Sequence, residues 1–464
     1  MRYAFFDLKK NERNLKMLCT KNSLQTIVNN LQQEIGKIET FRKFEEIIMV
    51  SEQIGKQISA RLTENILQQR AQEPTIWGNC RQCGHKLYSK GFIARQMNTV
   101  LGLICWQRRV GRCPQGCRGE QFAPFDQELG IEAYQQTSVE LKLRACMLAV
   151  FIPFTVVSLF LSRLLAVKIS DTSVWKWVQH YGAKRQATTQ QELNSEVVAE
   201  NIPSEIAKLP LLIGADGIKV PFRPDGGKPK GKARWQEIKV AVLARLASKK
   251  NSENEVVHQL KQRRLVALLG SSEELSPLLW QEALRQKMTE SSLVTWICDG
   301  GTGFWSIFYE LFAAYAIGIL DFYHAAQNLW KGAAAWLDGR TSQAKEWFEK
   351  ARHDLRHENV DKILLDLVKA QSSTEISEDN RKVIKNLYEY LDEHREHIHY
   401  SLFKDVIKLP IGSGIVESAC KWLIQQRFKG VGMRWSEKGF TNLLQLRLAW
   451  VNERFEKIFF DSPN

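Results

Sequence analysis

The sequence predicts a multidomain α/β protein, in which a metal-binding segment and a helical region precede a larger domain of strands and helices. Three observations predict this class. The chain has 464 residues, about three times the usual domain size. Two close cysteine pairs lie before residue 120, and short apolar runs alternate with helical patterns after residue 208. With 44% hydrophobic and 25% charged residues, the composition excludes a long disordered chain.

The balance of charge predicts a polyanionic partner. Lysine and arginine number 65 against 51 acidic residues, and this net charge of +14 favours nucleic acid over an anionic membrane. The charged amino terminus lacks the apolar stretch of a secretory signal, so we expect no export. Nine cysteines without such a signal indicate a reducing compartment, and we therefore expect a cytoplasmic protein.

The longest uncharged run covers residues 145–162, and its 18 residues are at the lower limit of a membrane span. Pro153 lies in the middle of the run, and amphipathic sequence flanks it. Because proline disfavours a continuous helix, the run predicts two buried helices that meet at a turn. We therefore expect no membrane partner.

A long helix is predicted in the amino-terminal region. The following apolar residues recur at spacings of four and three: Leu24, Val28, Leu31, Ile35 and Ile38, with Phe41, Phe44 and Ile48 after them. Such a seam could pair two subunits, or it could pack against its own chain.

Two cysteine pairs predict a zinc ribbon. Cys80 and Cys83 are separated by 29 residues from Cys113 and Cys117, which is enough chain for a hairpin. Each pair offers two thiolates from one tight turn, and two such turns complete a closed tetrahedral site. Residues 95–102 and 104–112 are the expected strands between them, with Cys105 in the second. The alternatives are scattered core cysteines, or His85 in place of one thiolate. The zinc would be structural and not catalytic.

The segment after the cysteine pairs has helical periodicity and ends in a capped helix. Ser170 or Asp171 is the expected N-cap of a short helix that carries Trp175, Lys176 and His180. A helix, a turn and a second helix of this kind resemble a helix-turn-helix, whose second helix enters the major groove of DNA. We predict that the last three residues contact DNA. A packed helical connector would give the same pattern.

Four acidic residues follow apolar runs or a glycine-rich turn. Asp216, Asp299 and Asp321 stand within or at the end of expected buried strands, and Glu417 lies about one turn inside a helix. Buried carboxylates are costly unless a cation pairs with them. Asp216, Asp299 and Glu417 form a candidate triad for two Mg²⁺ or Mn²⁺ ions, which can activate a water or a 3′-hydroxyl at a phosphodiester. Each Asp-Gly alone would more simply be a turn.

Four segments carry a resemblance to a known family: ADGIKVPFRP, CDGGTGFW, LDFYHAAQNLW and PIGSGIVESACKWLIQQRFKGVGMRWS. They resemble the DDE transposases of bacterial insertion sequences, most closely the ISKra-type group, over about residues 76–455. The resemblance implies a ribonuclease H-like catalytic domain with a mixed sheet, whose acidic triad corresponds to Asp216, Asp299 and Glu417. Similarity to Mutator-like transposases implies that Asp321 and His324 lie near the scissile phosphate, although Asp321 could equally be a helix cap.

The resemblance implies an enzyme that cleaves DNA at element ends and joins the freed 3′-hydroxyl to target DNA. Its partners would be double-stranded DNA, as terminal inverted repeats and as target, and a second copy of the chain. It would be a bacterial, nucleoid-associated protein. Two alternatives stay open: a zinc and helix-turn-helix DNA-binding regulator without catalysis, and a ribonuclease H-like nuclease without strand transfer.

Six segments are predicted. They are residues 1–75, a helical region predicted for dimerisation; 76–125, the zinc ribbon; 126–205, a helical region that resembles a helix-turn-helix; 206–330, the first part of the catalytic domain; 331–401, a charged helical insertion; and 402–464, the second part of the catalytic domain.

Basic residues interleaved with tryptophan predict DNA contacts near the acidic residues. Those after the glutamate are Lys421, Arg427, Lys429, Arg434 and Trp435. Those in the glycine-rich loop are Lys228, Lys230, Lys232 and Arg234, for which a solvated loop is the alternative.

Overall fold

A computed structural model describes residues 42–117, 122–224, 231–250 and 256–460, with residues 29, 32, 33, 36 and 252 as single positions. The chain divides into two compact units, residues 1–177 and 178–464. Within the described part, no helix is both long enough and apolar enough to cross a membrane.

The first unit is built from a long helix, a hairpin and several shorter helices. Its elements are helix α1 (Phe44–Arg70), strands β1 (Tyr88–Thr99) and β2 (Gly102–Arg112), and helices α2 (Pro124–Glu128), α3 (Val139–Ala149) and α4 (Phe154–Leu164). Helix α5 (Asp171–Leu193) begins in this unit and ends in the second. Phe44 and Ile48 lie in α1 as predicted, but the single continuous helix is not confirmed, because Arg42 and Lys43 are not helical and α1 begins at Phe44. The other residues of the predicted seam lie outside the described residues: Leu24, Val28, Leu31, Ile35, Ile38 and Phe41.

The antiparallel hairpin packs against helix α1. Glu64 accepts the backbone N–H of Cys105 at 2.9 Å, and Gln68 accepts that of Gln107 at 2.9 Å, so the helix satisfies donors of the β2 edge. A small core lies beneath: Met97, Ile104 and Trp106, with Ala60, Leu67, Leu101, Phe125 and Ile131 against it. The hairpin and the strand position of Cys105 match the prediction.

The uncharged run forms two helices, α3 and α4, on either side of Pro153, as predicted. Helix α4 is only partly buried, because Leu159, Phe160 and Leu164 are exposed. The next helix, α5, is capped by Ser170, whose hydroxyl accepts the Ser173 N–H at 3.1 Å. It runs for 23 residues, so the prediction of a short helix was wrong.

The second unit contains a five-stranded mixed sheet. Its strands are β3 (Leu211–Phe222), β4 (Arg234–Lys250), β5 (Val256–Leu269), β6 (Val294–Cys298) and β7 (Ala316–Leu320), in the order β5-β4-β3-β6-β7. The pairs β3–β4 and β4–β5 are antiparallel, whereas β3–β6 and β6–β7 are parallel. Strand β6 is buried throughout, as expected for an inner strand covered on both faces. The mixed α/β class is therefore confirmed.

Helices cover this sheet, and more helices follow its last strand in the chain. Those before strand β7 are α6 (Ser204–Ala207), α7 (Ser272–Arg285) and α8 (Thr302–Ile307), which continues into a π-helical turn at Phe308–Phe312. Those after it are α9 (Phe322–Leu337), α10 (Ser342–Arg356), α11 (Val360–Gln371), α12 (Glu378–Glu393), α13 (Gly414–Ala419), α14 (Gln426–Phe428) and α15 (Glu437–Val451). A π-helical turn at Cys420–Gln425 joins α13 to α14. The aromatic centre of the core includes Trp296 stacked on Phe312.

Candidate functional site

Three aspartates lie in one row at the carboxyl edge of the parallel part of the sheet. They are the residues Asp216 on β3, Asp299 after β6 and Asp321 after β7. The paired residues immediately before them form one register row: Ala215, Cys298 and Leu320. Because neighbouring strands lie about 4.8 Å apart, this register sets the carboxylates side by side on adjacent strands.

Asp321 differs from the other two aspartates in the number of hydrogen bonds that its carboxylate accepts, which is four. Its side chain is 2% exposed and caps helix α9, where Oδ1 accepts the N–H groups of Tyr323 at 2.7 Å and His324 at 3.0 Å. Its Oδ2 accepts the N–H of Ser413 at 2.6 Å and also the Ser413 hydroxyl. The alternative of a helix cap therefore describes what Asp321 does in this structure.

The pKa values of Asp216 and Asp321 are shifted in opposite directions. Burial raises the pKa of Asp216 above its usual value, and the charge of Asp299 adds to this, although the Gly217 N–H opposes it. Burial would also raise the pKa of Asp321, but its contacts with His324 and Ser413 outweigh burial and lower it to about 2.

His324 is half-buried, with Nδ1 3.2 Å from Asp321 Oδ2. Its contact with the Asp321 carboxylate raises the pKa of the imidazole, and the charges of Asp299 and Asp216 add to the shift against the effect of burial. The imidazolium form is thus favoured next to the aspartate row.

The helix that carries Glu417 begins beside this row. Ser413 precedes its first residue, Gly414, and is held by Asp321. Val416 packs against β3 at Gly214, where an added Cβ would lie 2.3 Å from Val416 Cγ2. Glycine is therefore required at this close approach of helix and strand.

Glu417 itself lies on the exposed side of the helix. Its side chain is 59% exposed, and its Oε1 is 2.6 Å from Lys421 Nζ. Burial, followed by the charge of Asp216, raises the pKa of the nearby Cys420 thiol, whose Sγ is 3.9 Å from Asp216 Oδ2. The helix thus brings a glutamate and a neutral thiol to the side of the aspartate row.

The four predicted cysteines come together. The Sγ atoms of Cys80, Cys83, Cys113 and Cys117 all lie within 4.8 Å of one another, so the set can hold a tetrahedral metal such as Zn²⁺. Within the described part of the chain, no other group of three or more histidine, cysteine or acidic side chains is so close, and the carboxylates of Asp216, Asp299 and Glu417 are farther apart. His85 is not among the four donors.

Tight glycine turns shape this cysteine site. Gly84 (φ +72°) follows the first pair, and Gly116 (φ +68°) lies between the second pair. Burial would raise the pKa of the Cys113 thiol, but hydrogen bonds from Cys83 and nearby backbone N–H groups outweigh it and lower the pKa to about 7. A thiolate, which is the form that binds metal, is therefore accessible near neutral pH.

The basic loop and the segment after Glu417 lie next to each other. Phe222 and Trp435 form a parallel bridge, and the Arg223 N–H donates to the Trp435 carbonyl at 2.9 Å. Lys232 and Lys429 are exposed on these segments, and Lys429 Nζ lies 5.6 Å from the centre of the exposed Trp235 ring. Arg434 is exposed as well, and donates to a loop carbonyl. Lys228 and Lys230 lie outside the described residues.

Two predicted DNA contacts in this region also have structural roles. Arg427 is 2% exposed and lies over the Trp435 ring, so its guanidinium does not face solvent. The prediction for Arg427 is corrected, because a side chain buried to this degree cannot reach DNA without refolding. Trp435 is partly buried, and its indole donates to the Phe428 carbonyl at 2.9 Å, but its DNA contact stays a prediction. Arg234 is exposed but pairs with Glu437.

On helix α5, Trp175, Lys176 and His180 are exposed, whereas Val174 and Val178 are buried. The three side chains predicted to contact DNA thus share the exposed side of this helix. In the second unit, the histidines at 394 and 397 are buried, and His397 stacks on Trp305.

Sequence reasoning missed Ser413 and Gly214, which position the Glu417 helix. A glycine within an apolar strand, two residues before Asp216, is a signal of close backbone approach and could have been found. Ser413 follows a glycine in a turn and carried no separate signal, because its partner Asp321 is remote in sequence.

Comparison with known proteins gives one curated relative of low identity. The chain is 23% identical over 375 residues to "UPF0236 protein in vanSb 3'region" of Streptococcus gallolyticus, which covers 80% of this chain and 75% of the relative. No family model matches. A solved structure, "Drosophila P element transposase strand transfer complex", aligns over 71% of this chain and 96% of that chain at 9% identity, with a TM-score of 0.32.

Proposed function

We propose that this protein is a metal-dependent DNA transposase with a ribonuclease H-like catalytic domain. The observation that carries the proposal is the row of aspartates on three adjacent strands, next to a helix that presents Glu417. Acidic side chains concentrated at one sheet edge suit the binding of cations. The resemblance of the surrounding motifs to DDE transposases supplies the reaction, which is cleavage at element ends followed by strand transfer.

Asp216, Asp299 and Glu417 would hold Mg²⁺ or Mn²⁺. The donors are all carboxylate oxygens, which these hard cations prefer. Burial, and after it the charge of Asp299, raises the pKa of Asp216, and a bound cation would offset both costs of the charged form. When bound, such ions would act as Lewis acids that stabilise negative charge on the attacking and leaving oxygens. His324 as imidazolium offers a positive charge to the scissile phosphate, and Lys421 exchanges its contact with Glu417 for a DNA phosphate.

Double-stranded DNA is the proposed partner, as terminal inverted repeats and as target. Exposed basic residues on the two adjoining segments support this assignment: Lys232, Lys429 and Arg434. Their charges would neutralise phosphates and release counterions. Trp175, Lys176 and His180 on the exposed side of helix α5 remain the proposed contacts of a helix-turn-helix. Zn²⁺ at the four cysteines would hold the hairpin as a structural ribbon.

A dimer is proposed, because two element ends must be paired. One side of helix α1 carries exposed apolar side chains at helical spacing: Phe44, Ile48, Ile58, Leu62 and Ile66. A second copy of the same helix would cover this stripe. The six predicted segments remain the proposed domain organisation.

The test is to incubate the protein with its own element ends and a target plasmid, with Mg²⁺ or Mn²⁺, and to score cleaved and joined products. Asp216→Asn and Glu417→Gln are each expected to lower joining at least 1000-fold. Ser418→Ala, an exposed residue beside Glu417, is the matched control and should keep full activity.

The other outcomes identify the alternatives. Cleavage without joined products in the wild type would favour a nuclease without strand transfer. Binding of intact DNA by the wild type and both variants, without divalent-ion dependence, would favour a DNA-binding regulator.

A further inference from the structure

We infer that Asp321 is a positioning residue, which acts through Ser413 to fix the Glu417 helix against the aspartate row. This inference rests on the proposed function and assigns a role to Ser413 and a different role to Asp321. The carboxylate would not be a ligand of the catalytic ions.

The Asp321 carboxylate has no oxygen lone pair left for a cation. Its Oδ1 accepts two N–H groups at the start of helix α9, and its Oδ2 accepts the N–H and the hydroxyl of Ser413. His324 Nδ1 is a fifth polar neighbour at 3.2 Å. A cation could bind there only after these donors were removed, and the lowered pKa of about 2 shows how strongly they hold the charge.

Ser413 connects two distant parts of the chain. It is 4% exposed and lies 92 residues beyond Asp321. The connection continues in the backbone, where the Phe322 N–H donates to the Ile411 carbonyl at 2.9 Å. Gly412 lies against the edge of the Tyr323 ring, since an added Cβ would be 2.5 Å from Cδ2 and 2.6 Å from Cε2.

The start of helix α13 is held at two points. Ser413 fixes it to the end of β7, and Val416 fixes it to Gly214 of β3. Since β6 lies between those strands, the two anchors span the whole row of aspartates. Glu417 directly follows the second anchor, so its backbone position is determined by both.

Ser413→Ala removes the hydroxyl donor and is the mildest test. We expect the dissociation constant for Mn²⁺, measured by electron paramagnetic resonance on the full chain, to rise about 10-fold, the usual cost of losing an outer-shell partner. Amide hydrogen exchange in residues 411–419 should accelerate in the same variant. Asp321→Asn should act in the same direction and more strongly, and Ser418→Ala should change neither quantity.

Three outcomes decide the matter. Unchanged Mn²⁺ affinity and unchanged exchange in Ser413→Ala would overturn the inference. The inference would also be overturned if Asp321→Asn lost Mn²⁺ binding as completely as Asp216→Asn while Ser413→Ala bound Mn²⁺ normally. Asp321 would then be a direct ligand of the ion. A third outcome separates the two proposals. If the wild type binds no Mn²⁺ but hydrogen exchange is faster in Ser413→Ala, the positioning contact is supported and the proposed function fails.

Discussion

The cysteine site and the aspartate row are two candidate metal sites assembled over very different lengths of chain. Each cysteine pair comes from one tight turn, and one hairpin joins the two turns. The row instead depends on the register of β3, β6 and β7, and Glu417 is added from a helix about 100 residues beyond the row. A site made by local turns can close on its own, whereas a site made by sheet register requires the whole unit.

This comparison predicts the largest effect at the cysteines. Cys113→Ser removes one of four ligands, so we expect loss of bound zinc and of the hairpin fold, since binding free energy is folding free energy in such sites. Zinc content by mass spectrometry and circular dichroism are the measurements. Cys105→Ser, in the same hairpin but outside the cluster, should keep its zinc. Full zinc occupancy in Cys113→Ser would contradict the assignment.

A smaller effect is expected where the Glu417 helix meets the sheet. Gly214→Ala places a methyl group 2.3 Å from Val416 Cγ2, so overpacking should cost about 1–3 kcal/mol of unfolding free energy and displace Glu417. The unfolding free energy measured with denaturant and the affinity for Mn²⁺ should both decrease. Adding Val416→Ala removes the clashing atom and should restore most of both quantities. Without such restoration, the close contact would not be the cause.

The two aspartates at the ends of the row, Asp216 and Asp321, should respond in opposite directions to loss of charge. The pKa of Asp321 is lowered, so its charge stabilises the fold above pH 4, and this contribution disappears as the pH falls towards 2. Asp321→Asn should therefore cost on the order of 2 kcal/mol at pH 7 and much less near pH 2.

The pKa of Asp216 is raised, so the metal-free fold is destabilised by its charge above that pKa, and the penalty disappears as the pH falls through it. Asp216→Asn should raise the melting temperature at pH 7 in the absence of divalent ions, and have no such effect at pH 3. Equal destabilisation by both substitutions would contradict the difference between the two carboxylates.

The smallest effect is expected on the surface. Lys429→Ala should leave stability unchanged and weaken DNA binding, with the slope of log affinity against log salt reduced by about 1. Fluorescence anisotropy at several salt concentrations measures this slope. Lys385, an exposed lysine on helix α12, is the matched control, and an equal change in Lys385→Ala would indicate nonspecific electrostatics.

The sequence was informative where neighbouring residues determine the structure. Two close cysteine pairs predicted the four-thiol cluster, and apolar runs ending in aspartate predicted the strands before Asp216, Asp299 and Asp321. The burial of Arg427 was not predicted, because a basic residue close to a carboxylate in sequence is expected at the protein surface. Its packing on the Trp435 ring is a tertiary contact, which the local sequence does not indicate. The bond between Asp321 and Ser413 was missed for the same reason, since periodicity carries no information on contacts across 92 residues.

The position of the aspartates in one register row has a consequence for how such a chain can change in length. Inserting one residue into β6 would turn Asp299 to the opposite face of the sheet, so strand lengths should be fixed. The loops between the helices that separate Asp321 from Ser413 are under no such constraint, because both ends of that segment are already joined by a hydrogen bond, and the entropy of closing a loop grows slowly with its length. Insertions and deletions should accumulate there first, which makes that helical segment the natural place to add a new module.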